Sequence, residues 1–293
     1  MTELVTIRSD ALSAAINPYG AELTHLRDAE GRELMTDADP AFWTGHAPIL
    51  FPVVGMPFEE TIRVDGLGYP MKKHGFARRS TFDVVAQSDA SVTFALTDSD
   101  ATRASYPFAF RLDLTYTLDG ATLSIEARVV NPADTPLPAS FGFHPAFAWP
   151  LPYGQDRAAH VIRFDADEPD ALRTIAADGT IADARKPSPL TGRELLLRDD
   201  LFADDALVWD HIRSDAVTYG ASAGPRLRIA FPDTPMLGIW TKPGAAYVCV
   251  EPWHGIADPE GYTGDYRDKP GVFEIPAGGT KRIEMSVTLV QEH

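Results

Sequence analysis

Between Phe108 and Val129 the side chains keep a strict period of two. Phe108, Phe110, Leu112, Leu114, Tyr116 and Leu118 alternate with Ala109, Arg111, Asp113, Thr115 and Thr117, and after Asp119-Gly120 the pattern resumes through Leu123, Ile125, Ala127 and Val129. Successive side chains of a strand point to opposite faces, so this period places one face on a core and leaves the other wet; a helix would scatter the same residues around its axis. Asp-Gly between two such runs is the turn chemistry of a tight hairpin. The same reading extends to Val92, Phe94 and Leu96, to Leu227, Ile229 and Phe231, and to the C-terminal run. There Ile283, Met285, Val287 and Leu289 alternate with Arg282, Glu284, Ser286 and Thr288. Near the start, Leu4–Arg8, Ser13–Ile16 and Ala21–Arg27 read as strands, the last two separated by an Asn17-Pro-Tyr-Gly20 turn. Helical periods are scarce, and the 24 prolines and 22 glycines fall mostly between apolar runs. The expected fold is all-β, with two large antiparallel sheets packed face to face. No linker divides the chain, so residues 1–293 are expected to form one domain.

Three stretches break the pattern and read as long irregular loops: Trp43 to Lys73, Pro150 to Asp205, and Ala257 to Pro270. Long ordered loops in a compact domain are often functional. The net charge of −16 disfavours nucleic acid and anionic membrane surfaces as partners and points to a small neutral or locally steered molecule. The one cysteine, Cys249, excludes an internal disulfide and sits among Val and Tyr as a small core residue rather than a nucleophile. Met1 to Arg8 lack the basic and apolar regions of a secretory signal, and no apolar run is long enough to span a bilayer. A cytoplasmic protein, monomeric or weakly dimeric, is the expectation.

Residues able to carry chemistry lie in four places. In Tyr247-Val-Cys-Val-Glu251-Pro-Trp-His-Gly255, apolar residues on both faces bury the strand that carries Glu251. A carboxylate held against apolar walls with a few donors can be tuned into a general base; the alternative is a structural carboxylate that caps a turn or pairs with an arginine. Pro252 is expected to end strand pairing there, and Trp253 offers a flat face of the kind that stacks on a sugar ring. In Phe141-Gly-Phe-His144-Pro-Ala-Phe147, aromatic neighbours desolvate His144, which can share a proton with a nearby carboxylate or rest as a core histidine on a backbone carbonyl. In His74-Gly-Phe-Ala-Arg78, Gly75 permits close backbone approach and Phe76 anchors the segment, so that His74 and Arg78 project at fixed positions. Asp204 and Asp205 sit between apolar residues, and one of them can face a pocket and accept from sugar hydroxyls, or simply hold a turn. No metal site is expected, because none of the eight histidines falls in a His-x-His or His-x-x-x-His spacing. Hydrolase, nucleotide-binding and dinucleotide motifs are also missing.

Taken together and in this order, Leu50-Phe-Pro-Val-Val-Gly55, His74-Gly-Phe-Ala-Arg78, Gly142-Phe-His-Pro-Ala-Phe147, Leu201-Phe-Ala-Asp-Asp205, Gly238-Ile-Trp240 and Cys249-Val-Glu-Pro-Trp253 resemble the aldose 1-epimerase (mutarotase) family, and most of all its LacX-like branch. The resemblance runs from about Ile16 to the end of the chain. It implies a galactose-mutarotase-like β-supersandwich and cofactor-free interconversion of the α and β anomers of an aldose. It also implies Glu251 as general base, His144 as general acid, His74 as a second histidine on the sugar, and Asp205 as an acceptor for distal hydroxyls; Arg78 and Trp253 are expected at the same sugar from their own surroundings. One position departs from the pattern: Met56-Pro57 follows Gly55 where an arginine is often found, so the cation that would orient the sugar is either absent or comes from Arg78. Two other functions stay open at this point, a hexose-6-phosphate mutarotase and a catalytically silent sugar-binding or regulatory module.

Overall fold

A computed structural model describes residues 3–291 of the chain. The alternating runs do form strands, and Arg111–Asp119 and Thr122–Val130 make the hairpin around Gly120, whose φ of 51° suits a residue without a Cβ. The first of these strands begins at Arg111 rather than Phe108. Phe108 N–H turns back onto Tyr106 O, and the rings of Tyr106, Phe108 and Phe110 gather into an aromatic cluster at the strand's entrance.

The hairpin lies inside a nine-stranded antiparallel sheet. Its spatial order is Glu194–Leu196, His160–Phe164, Ala216–Ala221, Arg226–Ala230, Thr280–Val290, Thr122–Val130, Arg111–Asp119, Ser91–Thr97 and Asp83–Gln87. A second, eight-stranded sheet runs Ile181–Lys186, Leu172–Ile175, Leu207–Trp209, Met236–Trp240, Tyr247–His254, Phe141–Phe143 and Ile49–Leu50, with Ala146–Ala148 paired to Tyr247–His254 from the side. Leu112, Leu114, Ile125 and Val287 of the first sheet and Leu237, Ile239, Val248 and Val250 of the second belong to one buried cluster, so the two sheets share a core. Burial of that apolar surface is the main force holding them together. A three-stranded sheet, Val5–Arg8, Leu12–Asn17 and Glu22–Asp28, adds Ile7, Ile16, Leu23 and Leu26 to the same cluster. The only α-helix among the described residues is the single turn Asp100–Arg103, capped by Ser99.

Two of the three stretches expected to be irregular contain strands. Trp43 to Lys73 holds Ile49–Leu50, Thr61–Val64 and Leu67–Pro70, and Pro150 to Asp205 holds four strands at the margins of the large sheets. Segments of two to six residues are too short to display a period. Some have partners distant in sequence, Ile49–Leu50 with Phe141–Phe143 and His160–Phe164 with Ala216–Ala221, and others form short local hairpins, Thr61–Val64 with Leu67–Pro70 and Leu172–Ile175 with Ile181–Lys186. Ala257 to Pro270 is a loop with one 3₁₀ turn at Tyr266–Asp268, as expected. No helix among the described residues is long and apolar enough to cross a membrane.

Candidate active site

The strand Tyr247–His254 is buried almost throughout and uses its two faces differently. Val248 and Val250 enter the core between the sheets, whereas Tyr247, Cys249, Glu251 and Trp253 face the other way. Along one edge it pairs with Met236–Trp240, which sets Gly238 opposite Glu251. Along the other edge it pairs with two separate pieces of one segment: Gly142 lies opposite Trp253, and Ala146 opposite Cys249. Both pieces keep one register, so the residues between them run past Val250, Glu251 and Pro252. His144 thereby falls across from Glu251. Its Nε2 stands 3.2 Å from Glu251 Oε2, with the two residues only 7% and 2% exposed. The expectation that Pro252 ends the pairing is corrected: the strand continues to His254 with Pro252 opposite Leu237. On its other side the proline occupies the interruption between the two pieces, where an N–H is not required.

His74 arrives from a different part of the chain. It has a φ of 65°, followed by Gly75 at 71°, where a Cβ would stand 2.1 Å from Phe51 O. A non-glycine residue in the left-handed region costs free energy, and two hydrogen bonds to Gly55 offset it. His74 N–H donates to Gly55 O at 2.8 Å, and Gly55 N–H donates to His74 Nδ1 at 3.1 Å. Because a backbone N–H can only donate, Nδ1 must be bare and the imidazole proton sits on Nε2. The His74 and His144 rings meet edge to face at 5.7 Å. Phe76 anchors the segment as expected, packing against Phe51 and Phe110.

These groups line a cavity of about 270 Å³, together with Lys73, Arg78, Asp205, Trp253, Trp43 and Trp240. That is at the lower end of ligand pockets and suits one monosaccharide rather than a chain of them. Trp253 lies flat because its neighbours on both sides have no side chain. A Cβ on Gly142 would come within 2.6 Å of Trp253 Cδ1, and one on Gly238 within 2.4 Å of its Cη2. Ile175, Ile181, Val208, Ile256 and Ala257 pack in one apolar cluster with Trp253 and line the cavity beside it. Asp205 lines the cavity and Asp204 does not. Asp205 holds a φ of 75° and accepts from Ala206 N–H at 2.7 Å. Lys73 and Arg78 reach the cavity and form no hydrogen bond or ion pair with any described residue. Met56 is not a lining residue; it packs under Gly179, one of the lining positions, so the side of the cavity where an arginine was missed is apolar.

Burial sets the protonation states. It pushes the Glu251 carboxyl well above the usual range, the charge of Asp205 adds to this, and Lys73 and Arg78 oppose it. Burial and the charges of Arg78 and Lys73 press His144 down to about 3. His74 is lowered by burial and then by His144 and the nearby cations. The His144–Glu251 pair therefore holds a single proton over a wide pH range. Among the described residues, the one group able to hold a metal ion is His144, Cys249 and Glu251, whose ligand atoms lie within 4.8 Å of one another. Burial keeps the Cys249 thiol protonated and Cys249 is not among the lining residues, which makes it a poor ligand.

The structure thus brings together Glu251, His144, His74, Asp205, Arg78 and Trp253, six residues spread over most of the chain. Sequence reasoning missed Trp43, visible beforehand only as an aromatic residue inside an irregular stretch, and the hairpin that supplies Ile175 and Ile181.

A model of the aldose 1-epimerase family matches residues 3–260. The chromosomal protein LacX of Lactococcus lactis subsp. lactis is 28% identical over 98% of this chain and 99% of its own length. Among solved structures, a galactose mutarotase related enzyme from Lactobacillus acidophilus is 30% identical, with a TM-score of 0.90 over 99% of this chain and 98% of that one. A galactose mutarotase-like protein from Lactobacillus casei is 29% identical, with a TM-score of 0.91 over 98% of this chain and 100% of that one.

Proposed function

The chain belongs to the aldose 1-epimerase family, in its LacX-like branch, and from that premise we propose that it is a mutarotase that interconverts the α and β anomers of a hexose without a cofactor. The observation that carries this reading is the buried contact between His144 Nε2 and Glu251 Oε2 at the base of a monosaccharide-sized cavity. Glu251, as carboxylate, takes the proton from the C1 hydroxyl while His144, as imidazolium, gives one to the ring oxygen. The C1–O5 bond breaks, and the open-chain aldehyde rotates about C1–C2. Closure on the other face returns both protons, so the enzyme ends as it began. The pair suits this exchange because imidazolium–carboxylate and imidazole–carboxylic acid carry the same net charge, and burial does not penalise moving a proton between those two groups as it would the creation of a lone charge. His74 donates from Nε2 to a sugar oxygen, Trp253 stacks on the apolar face of the ring, and Asp205 and Arg78 take hydroxyls at the rim.

A second substrate class has one specific observation in its favour. In a chain of net charge −16, Lys73 and Arg78 face the cavity without an ion pair to any described residue, which is an arrangement that an anionic sugar such as a hexose 6-phosphate would complete.

The test is polarimetry of freshly dissolved α-D-glucose and α-D-galactose, with anomer-resolved NMR of glucose 6-phosphate. Uncatalysed mutarotation is itself fast, so Glu251→Gln serves as the control. Acceleration by the wild type, reduced at least about a hundredfold in Glu251→Gln, is the expected result, and the preferred sugar decides between neutral and phosphorylated substrates. Sugar binding with no acceleration of any of the three would replace this reading with a silent binding module.

A further inference from the structure

His144 has no well-aligned hydrogen bond of the kind that ordinarily orients a catalytic histidine, and only its own backbone carbonyl favours the charged ring from that side. Such a ring usually has one nitrogen facing the chemistry and the other held by a carboxylate or a backbone carbonyl. Here Nε2 faces Glu251, while Nδ1 is buried with no partner in hydrogen-bond geometry. The ring is enclosed by aromatic groups instead. Trp43 stacks on it with centroids 5.0 Å apart and planes 26° from parallel, Trp240 meets it edge-on at 6.2 Å, and His74 at 5.7 Å.

Trp43 is itself firmly placed. Its ring packs against Trp240 and Tyr247, each at 5.7 Å, and its backbone N–H donates to Asp39 O at 3.0 Å. Lys242 Nζ donates to the carbonyls of Ala41 and Phe42 at 3.3 Å, pinning the loop that carries the indole to the turn between Met236–Trp240 and Tyr247–His254. Glu251 lies 3.2 Å across from His144, burial and the charges of Arg78 and Lys73 disfavour the imidazolium, and the residue's own backbone carbonyl favours it. The face of an indole attracts a cation laid over it, most strongly where water is excluded.

We propose that Trp43 is a positioning residue for His144: its indole fixes the plane of the imidazole so that Nε2 stays aimed at Glu251 and the sugar, and it stabilises the imidazolium while His144 carries the proton. This rests on the mutarotase reading given above. A contact that favours the charged form of the acid acts on the chemical step, whereas a contact made only with the sugar acts on KM.

The experiment compares wild type, Trp43→Leu and Trp43→Phe, with α-D-galactose as substrate and with ¹⁵N NMR of the histidine rings in the absence of sugar. Trp43→Leu is expected to lower kcat about tenfold, the rate equivalent of one desolvated cation–aromatic contact, with a smaller change in KM. Trp43→Phe should restore most of that loss. In the NMR arm, Trp43→Leu should remove the ring-current shift from the His144 ring protons and move its titration to lower pH. Unchanged kcat in Trp43→Leu would overturn the proposal, as would equal losses in both variants confined to KM. Failure of the mutarotase reading is separable, because then wild type and Glu251→Gln would anomerise galactose at the same rate. The NMR arm still decides in that case: a His144 signal indifferent to Trp43→Leu ends the proposal. Trp43→Phe, which keeps an aromatic ring in place, covers the case in which the leucine variant does not fold.

Discussion

The two large sheets were built to different rules. The nine-stranded sheet has long strands, nine residues in Arg111–Asp119 and in Thr122–Val130 and eleven in Thr280–Val290, with uninterrupted pairing among the three. Its outer face is laced by hydroxyl pairs, Thr93 with Thr115 at 3.0 Å and Thr122 with Thr288 at 2.9 Å. The eight-stranded sheet has strands as short as two residues, and its longest, Tyr247–His254, changes partners in the middle. The regular sheet offers apolar side chains to the core and no residue to the cavity that holds Glu251 and His144. The interrupted sheet carries Glu251 and His144 at its break, and its two glycines beside Trp253 leave floor space for a ring. Continuous pairing makes a scaffold, and a site needs positions where the ladder lets a side chain, or the lack of one, take over.

The contrast can be broken at three points. The largest effect on activity is expected from Gly238→Ala: its Cβ would stand 2.4 Å from the Trp253 ring, so the indole must tilt out of the sheet plane. Mutarotation kcat/KM should fall at least about tenfold with a stability cost of about 1–3 kcal/mol, read by polarimetry and denaturant melts. Unchanged kinetics would show that the flat indole is irrelevant. A smaller effect is expected from acid. With His144 held at about 3 and Glu251 raised, the pair gains its second proton only far below neutrality and loses its single proton only above the ordinary carboxylate range. A pH–rate profile should therefore show no loss as the pH drops through the usual histidine range near 6.5, the acid limb appearing only toward about 3. An acid limb centred in the usual histidine range would show that His144 titrates as an exposed imidazole. The smallest effect on activity belongs to the other sheet: Leu114→Ala, at a fully buried position, should lower stability by about 2–5 kcal/mol and leave kcat within about twofold. A large loss of kcat in a variant that is still folded would mean the scaffold sheet tunes the site after all.

Much of this architecture was legible beforehand because period-two patterning is a local consequence of strand geometry, and the long strands repeat it often enough to be seen. The short strands were not: Ile49–Leu50 and His160–Phe164 exist because distant partners hold them, and Leu172–Ile175 with Ile181–Lys186 form a hairpin too short and irregular to show a period. The candidate site divides in the same way. Glu251 and His144 each stood out from unusual surroundings, buried strand in one case and flanking aromatics in the other. Trp43 did not, since its meaning lies in a ring 101 positions further along the chain that it covers.

The amino-acid sequence by itself determined the all-β class, the burial of the strand bearing Glu251 and, through a set of short motifs in order, the family. Tertiary structure alone decided that one register on both sides of an interruption sets His144 against Glu251, that Asp205 rather than Asp204 lines the cavity, and that Lys73 and Arg78 reach it without an ion pair to any described residue. The reason is that patterning records only which face of a strand is dry. Which two dry faces meet, and at what offset, is settled by pairing between residues far apart in the chain.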